Sequence, residues 1–140
     1  MPAKLMNYFN KSPRIGSLST ASKNGKVNAA MFGSPRMLDE KTVVMGLGKD
    51  RSLKNLQENP YAVYMIIEPG KTLAEWKGIR VYLKMKACAT SGPNLDAYIG
   101  QIGKVIGEDA AKKMIHAAIT FEVTEIRPLV DTGQGWEKSI

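Results

Sequence analysis

Ala30-Met-Phe-Gly-Ser-Pro-Arg-Met-Leu-Asp-Glu-Lys-Thr-Val-Val-Met-Gly-Leu-Gly-Lys-Asp-Arg-Ser-Leu-Lys-Asn-Leu-Gln-Glu-Asn-Pro60 is the stretch on which the fold turns. It opens on the end of a strand, Val27 to Phe32. Asp39-Glu40-Lys41 reads as a tight turn, and Thr42-Val-Val-Met45 follows as a β-branched strand. Gly46 to Asp50 is a polar, glycine-bearing loop. Ser52 to Gln57 has the spacing of a short helix, with Leu53 and Leu56 on its inner face and Asp50 placed to cap it. Asn59-Pro60 stops that helix, because proline disfavours the α conformation of the residue before it.

Before this stretch, residues 3 to 10 suit one short helix with Leu5, Met6 and Phe9 on a common face, ended by Ser12-Pro13. Ile15 to Ala21 is a strand. Lys23-Asn24-Gly25-Lys26 then carries the strongest turn signal, since Asn-Gly accepts the positive φ angles of a type I′ turn between antiparallel strands. After Pro60, Tyr61 to Ile67 is a buried strand and Glu68-Pro-Gly70 a turn. Arg80 to Ala89 alternates, with Val81, Leu83, Met85, Ala87 and Ala89 on one face. Arg80, Tyr82, Lys84, Lys86 and Cys88 take the other. Asn94 is placed to cap a helix reaching about Gly107, with Leu95, Tyr98, Ile99, Ile102, Val105 and Ile106 near helical spacing. A second helical piece covers Asp109 to Ile115, and Ala118 to Ile126 is a last strand stopped by Pro128. The sum is a mainly β, α+β chain forming a single domain over 1–140. Six antiparallel strands close into a barrel, with short helices at its flanks.

Composition narrows the function. With 140 residues, 44% of them hydrophobic, the chain buries a real core. The longest apolar run, Tyr61 to Ile67, falls far short of the about 20 residues of a membrane span. The N-terminus is too polar and too short in its apolar part for a signal peptide, so a cytoplasmic setting and no membrane partner are expected. Cys88 and His116 are the only cysteine and histidine, which excludes an internal disulfide and a four-ligand zinc site built from those residues. The net charge of +7 fits either an anionic ligand or a soluble basic surface. The lysines are scattered and no nucleic-acid module is present, which weighs against a nucleic-acid partner.

Chemistry is sparse. Asp39-Glu40 sits in a turn, and Glu122 and Glu125 point outward from a strand. No Gly-x-Ser-x-Gly elbow occurs. This absence favours a bound cofactor as the source of any chemistry. Gly46-Leu-Gly48-Lys-Asp-Arg51-Ser52 enters a helix with a cation and a hydroxyl in its first turn. That arrangement suits a phosphate, and it equally suits a capped surface helix. It is neither a Walker A loop nor a dinucleotide fingerprint. The tail Thr132-Gly-Gln-Gly-Trp136 can lay an indole on a ring system or on the protein's own surface.

Residues 14 to 90, and the quoted stretch above all, resemble the pyridoxamine 5′-phosphate oxidase-like superfamily of split barrels that bind flavin mononucleotide (FMN). The closer likeness is to its small stand-alone FMN-binding proteins. The resemblance implies a homodimer with FMN in a cleft between protomers. It implies an oxidoreductase or electron-transfer role with a small-molecule donor or acceptor. The alternative is a flavin-, F420- or haem-binding module without turnover. By resemblance, Arg51 and Ser52 grip the phosphate and Asn55 faces the flavin or its ribityl chain. Ala30, Met31 and Phe32 border the ring, while Met45, Gly46 and Leu47 cover it. Lys84 lies on the strand that reaches the shared cleft. Trp136 is added as a contribution from the second protomer, by inference and not by family motif. The chain departs from true pyridoxamine phosphate oxidases in its short Gly-Gln-Gly-Trp-Glu-Lys tail, which lacks their basic and histidine residues.

Overall fold

The computed structural model describes residues 2–140. In chain order the elements are α1 (Pro2–Phe9), β1 (Ile15–Ala21), β2 (Val27–Met31), β3 (Arg36–Asp39), β4 (Thr42–Leu47), α2 (Arg51–Glu58) and β5 (Tyr61–Glu68). These are followed by β6 (Lys77–Ala89), α3 (Pro93–Ile106), α4 (Glu108–Met114) and β7 (Ala117–Pro128), with short 3-10 turns at Leu73–Glu75 and Trp136–Lys138. The strands form one antiparallel sheet in the order β2-β1-β5-β6-β7-β4-β3.

That order forces closure. The sheet's two edges, β2 and β3, are consecutive in the chain and joined only by Phe32 to Pro35. A flat sheet of this width would hold its edges about 29 Å apart. The link from Met31 to Arg36 spans at most about 18 Å. The sheet therefore curls around its core into a barrel. β6 and β7 are the long strands that bridge its halves. Lys77 to Lys84 of β6 carries β5, and Ala117 to Glu122 of β7 carries β4. The core between them is built on Leu18, Tyr64, Val81, Leu83, Ile119 and Phe121, with α1 adding Leu5 and Phe9.

The closing link is fastened by Arg14. Its guanidinium lies between the rings of Phe9 and Tyr64, 5.2 and 5.3 Å from their centroids. It donates to the carbonyl oxygens of Phe9, Pro35 and Gly33, the last at 3.0 Å. Burial lowers the pKa of this cation, opposed in part by the Tyr64 hydroxyl group beside it. The edge strand β3 is covered too. Asn10, just past α1, donates to Met37 O at 2.9 Å and accepts from Met37 N–H at 2.8 Å, occupying backbone groups that an edge would otherwise leave open.

The structure departs from the sequence reading in several details. The seventh strand is β3, four residues whose adjacent Met37 and Leu38 show no alternation. The β1–β2 turn is not type I′. Only Gly25 has positive φ (82°), and its N–H donates to Ser22 O at 3.0 Å, so one left-handed residue suffices. α3 starts two residues earlier, with Gly92 at the cap and Pro93 at the first helical position rather than Asn94 capping. In β6 the register shifts between Met85 and Ala87. The bulge sets Cys88 opposite core residue Ile119 and packs it against the core, off the lysine-rich face. Burial raises its thiol pKa. Among the described residues no helix is long and apolar enough to cross a membrane.

Candidate functional site

Helix α2 spans the passage from the end of β4 to the start of β5, and its sequence explains its seat. Asp50 is extended (φ −125°, ψ 179°) and its carboxylate accepts the Leu53 N–H at 2.9 Å, a side-chain N-cap. Leu53 and Leu56 enter the core. Ser52 and Asn55, one turn apart, are buried on the side facing the sheet. The Asn55 amide donates to Thr20 Oγ1 at 3.1 Å, which ties α2 to β1. Glu58 accepts the Lys23 N–H at 3.1 Å, which ties the other end of α2 to the β1–β2 turn.

The cations at the start of α2 face solvent. Lys49, Arg51 and Lys54 are exposed, and none forms an ion pair with another described residue. The N–H groups of Arg51 and Ser52 precede the helical ladder and have no acceptor among the described residues. Asp50 already occupies the Leu53 amide, so the anion-binding capacity here comes from two N–H groups and the cations.

The strand residues divide by face. Ala30 and Phe32 turn toward the barrel, while Met31, 63% exposed, turns outward opposite Ser17. Phe32 is held at both backbone atoms. Its N–H donates to Gly16 O at 3.0 Å, and its carbonyl accepts the Tyr64 hydroxyl at 2.6 Å. β4 runs two residues further than its sequence shows, so Gly46 and Leu47 are strand and not loop. The side chains of Met45 and Leu47 are spent in the core. Its backbone carbonyls at Gly46 and Leu47 are engaged as well. Ser34, in the closing link, donates to Gly46 O at 3.3 Å, and Leu47 O accepts the His116 N–H at 2.7 Å. The end of β2, the end of β4 and the start of α2 are thus brought into one region.

Lys84 and Trp136 lie elsewhere. Lys84 stands on the outer face of β6, over the Tyr61 ring at 5.7 Å, and pairs in register with Tyr61 and Glu122. Tyr61 lines an outer groove of about 270 Å³ with Ser19, Ala21, Val27, Asn59 and Tyr82. Trp136 packs on the core in a C-terminal segment anchored by Gly78 N–H to Ser139 O at 2.7 Å. Gly78 pairs with Ile67, at the end of β5 opposite to Tyr61, so Trp136 of this protomer is not brought to α2 or to the groove.

Sequence reading passed over Thr20, Ser34 and the hydroxyl of Tyr98. Thr20 and Ser34 are ordinary strand and loop residues until the fold sets them against Asn55 and Gly46. Tyr98 reads as one apolar member of the α3 face. Its ring lies over Gly46, where any Cβ would come within 2.6 Å of Tyr98 Cε2. Among the described residues no group of His, Cys, Asp and Glu is arranged to hold a metal ion.

No family model matches the chain, and no curated protein matches it. Solved structures do. An FMN-binding protein from Syntrophomonas wolfei subsp. wolfei superposes with a TM-score of 0.76 at 23% identity, covering 91% of this chain and 85% of that one. The haem storage protein HutZ from Vibrio cholerae gives 0.65 at 18% identity, covering 88% and 91%. An FAD-binding protein from Mesorhizobium loti gives 0.64 at 12% identity, covering 90% and 92%. The chain therefore has the split-barrel fold of these proteins.

Proposed function

We propose that this split barrel is an FMN-binding protein that serves as a flavin-dependent oxidoreductase or electron-transfer protein. The observation that carries the reading is the start of α2. An exposed arginine and two exposed lysines with no ion-pair partner, and two backbone N–H groups with no acceptor, are grouped there among the described residues. This donor set matches a phosphate dianion in charge and in hydrogen-bonding character. The likeness to an FMN-binding protein over 91% of the chain supports the choice of flavin.

The residues fit the cofactor in distinct roles. Arg51 holds the phosphate with the N–H groups of Arg51 and Ser52, and Asn55 braces the helix that carries them. Ala30 to Phe32 and Met45 to Leu47 border the ring edge. When bound, FMN supplies reversible one- and two-electron chemistry, which the side chains of this protein do not. Positive charge at Arg51, Lys49 and Lys54 favours the anionic reduced ring as well as the phosphate.

A second copy of the chain is the partner. The outer face of β2, β1 and β5 presents Val27, Met31, Ile15 and Tyr61, all exposed, beside half-buried Val63 and Met65. An apolar face of this extent on a small barrel is suited to association, and the groove on it would then lie between protomers. Lys84 flanks that groove through Tyr61.

Titration of the protein with FMN and with riboflavin, followed by quenching of flavin fluorescence, tests the site. Arg51→Ala is expected to weaken FMN binding by about 2 kcal/mol, the scale of a charge-assisted hydrogen bond, and to leave riboflavin binding nearly unchanged. Equal FMN affinity in wild type and variant would remove Arg51 from the site. No binding of either flavin by the wild type would overturn the reading.

A further inference from the structure

Among the described residues, one buried side-chain polar atom has no hydrogen-bond partner: the hydroxyl oxygen of Tyr98. Leaving a phenol hydroxyl unpaired in the interior costs about 1–3 kcal/mol, which phenylalanine at this position would avoid. The position is also sterically specified. Tyr98 reaches from α3 across β4 and rests on Gly46, where a Cβ would lie 2.6 Å from its ring and 3.3 Å from Ile115. Its hydroxyl comes beside Ser34 and the Gly46 backbone. The Ser34 hydroxyl donates to the Gly46 carbonyl at 3.3 Å, and the Tyr98 hydroxyl lies against this pair without completing a hydrogen bond to either.

Burial dominates the surroundings of this phenol and raises its pKa, so the group is a neutral O–H donor at physiological pH. It stands where the closing link after Phe32 meets the end of β4, the two segments assigned above to the ring edge of the flavin. We propose that Tyr98 is a cofactor-contacting residue whose hydroxyl donates to a ring carbonyl or ring nitrogen of the bound flavin. This inference rests on the flavin reading, and it adds a contact from α3 to those from β2, β4 and α2. The chemistry is hydrogen-bond donation to an acceptor on a heteroaromatic ring, and it is independent of the phosphate.

The test is Tyr98→Phe, with three readouts on the purified protein. The melting temperature of the flavin-free protein is expected to stay equal or rise, because the variant deletes an unpaired hydroxyl and little else. The dissociation constants of FMN and riboflavin are both expected to rise by about five- to tenfold, the scale of one hydrogen bond to a neutral acceptor. The visible flavin band is expected to shift when the donor is lost. The equal effect on the two flavins separates this contact from Arg51, whose replacement acts on FMN alone. A lower melting temperature with unchanged affinities would make Tyr98 a packing residue and overturn the inference while leaving the flavin reading standing. Weakening of FMN but not riboflavin would overturn the ring assignment. Absence of any flavin binding by the wild type would overturn both.

Discussion

The bond between Asn55 and Thr20 makes a quantitative demand on stability. Thr20 is 3% and Asn55 5% exposed, and Nδ2 to Oγ1 is 3.1 Å. Thr20→Val keeps the shape and β-branching of the side chain and removes only the acceptor. The Asn55 amide then stays buried with a donor unmet, a cost of about 1–3 kcal/mol. The new methyl group relieves part of this, because the threonine hydroxyl no longer needs desolvating. A net loss of about 1.5 kcal/mol is expected, equivalent to about 5 °C in melting temperature for a domain of this size. Urea titration at fixed protein concentration should show a lower midpoint at unchanged slope, since the unfolded surface is the same. Asn55→Ala and the double variant complete the cycle, with a coupling of about 1 kcal/mol between the two sites. Additive single losses, or a Thr20→Val variant as stable as wild type, would show that the bond does not hold α2 to β1. α2 would then not be a rigid platform for Arg51 and Ser52.

Base should unfold the protein through its tyrosines. The hydroxyls of Tyr8, Tyr64 and Tyr98 are all raised from the ordinary value of 10.0, in each case first by burial, and Tyr8 further by its bond to Glu68 at 2.9 Å. A folded pKa above the unfolded one means stability that is fully present below about pH 10 and lost as pH rises through the folded values. Denaturant midpoints should therefore fall above about pH 10, and these three of the five tyrosines should ionise only as the fold is lost. Tyrosinate absorbance rising for all five in the folded state would contradict this. Association should depend on the outer face of β2. Met31→Lys and Val27→Lys each place a charge on it, and sedimentation velocity should show the proposed dimer for the wild type and a shift to monomer for the variants. A wild-type protein that sediments as a monomer at tens of micromolar would refute the shared-cleft proposal.

What was legible in the sequence is what is decided locally. Asp50 caps and Asn59-Pro60 stops α2 through bonds and clashes within a few residues, so its bounds can be read from the chain. β1 and β5 carry enough β-branched or alternating residues to identify themselves. The alternation of β6 holds as far as Met85, and then the bulge exchanges the faces, which no period-2 pattern can announce. β3 exists because β4 and Asn10 satisfy its backbone, a tertiary cause. α3 shows the opposite failure. Its apolar spacing reads as a buried stripe, yet only Leu95 is buried and Val105 is 82% exposed. The site divides the same way. Arg51 and Ser52 stand out because a cation and a hydroxyl at a helix start are a local pattern. Tyr98 does not, because its meaning depends on Gly46, a residue distant in sequence.

The geometry of closure bears directly on the chemistry proposed for this barrel. A seven-stranded sheet whose edges are joined by four residues has little freedom in where those edges meet. Arg14 reduces it further by gripping the carbonyls of Gly33 and Pro35 on either side of Ser34. Ser34 in turn bonds Gly46, and Tyr64 bonds Phe32, so the ends of β2 and β4 are fixed to each other through side chains that the core already holds. α2 leaves β4 only three residues beyond Leu47 and is pinned to β1 by Asn55. The donors assigned to the ring edge and those assigned to the phosphate are therefore set in relation to one another by the contacts that close the barrel. A cofactor spanning them would meet a site already organised, with little ordering left to oppose its binding.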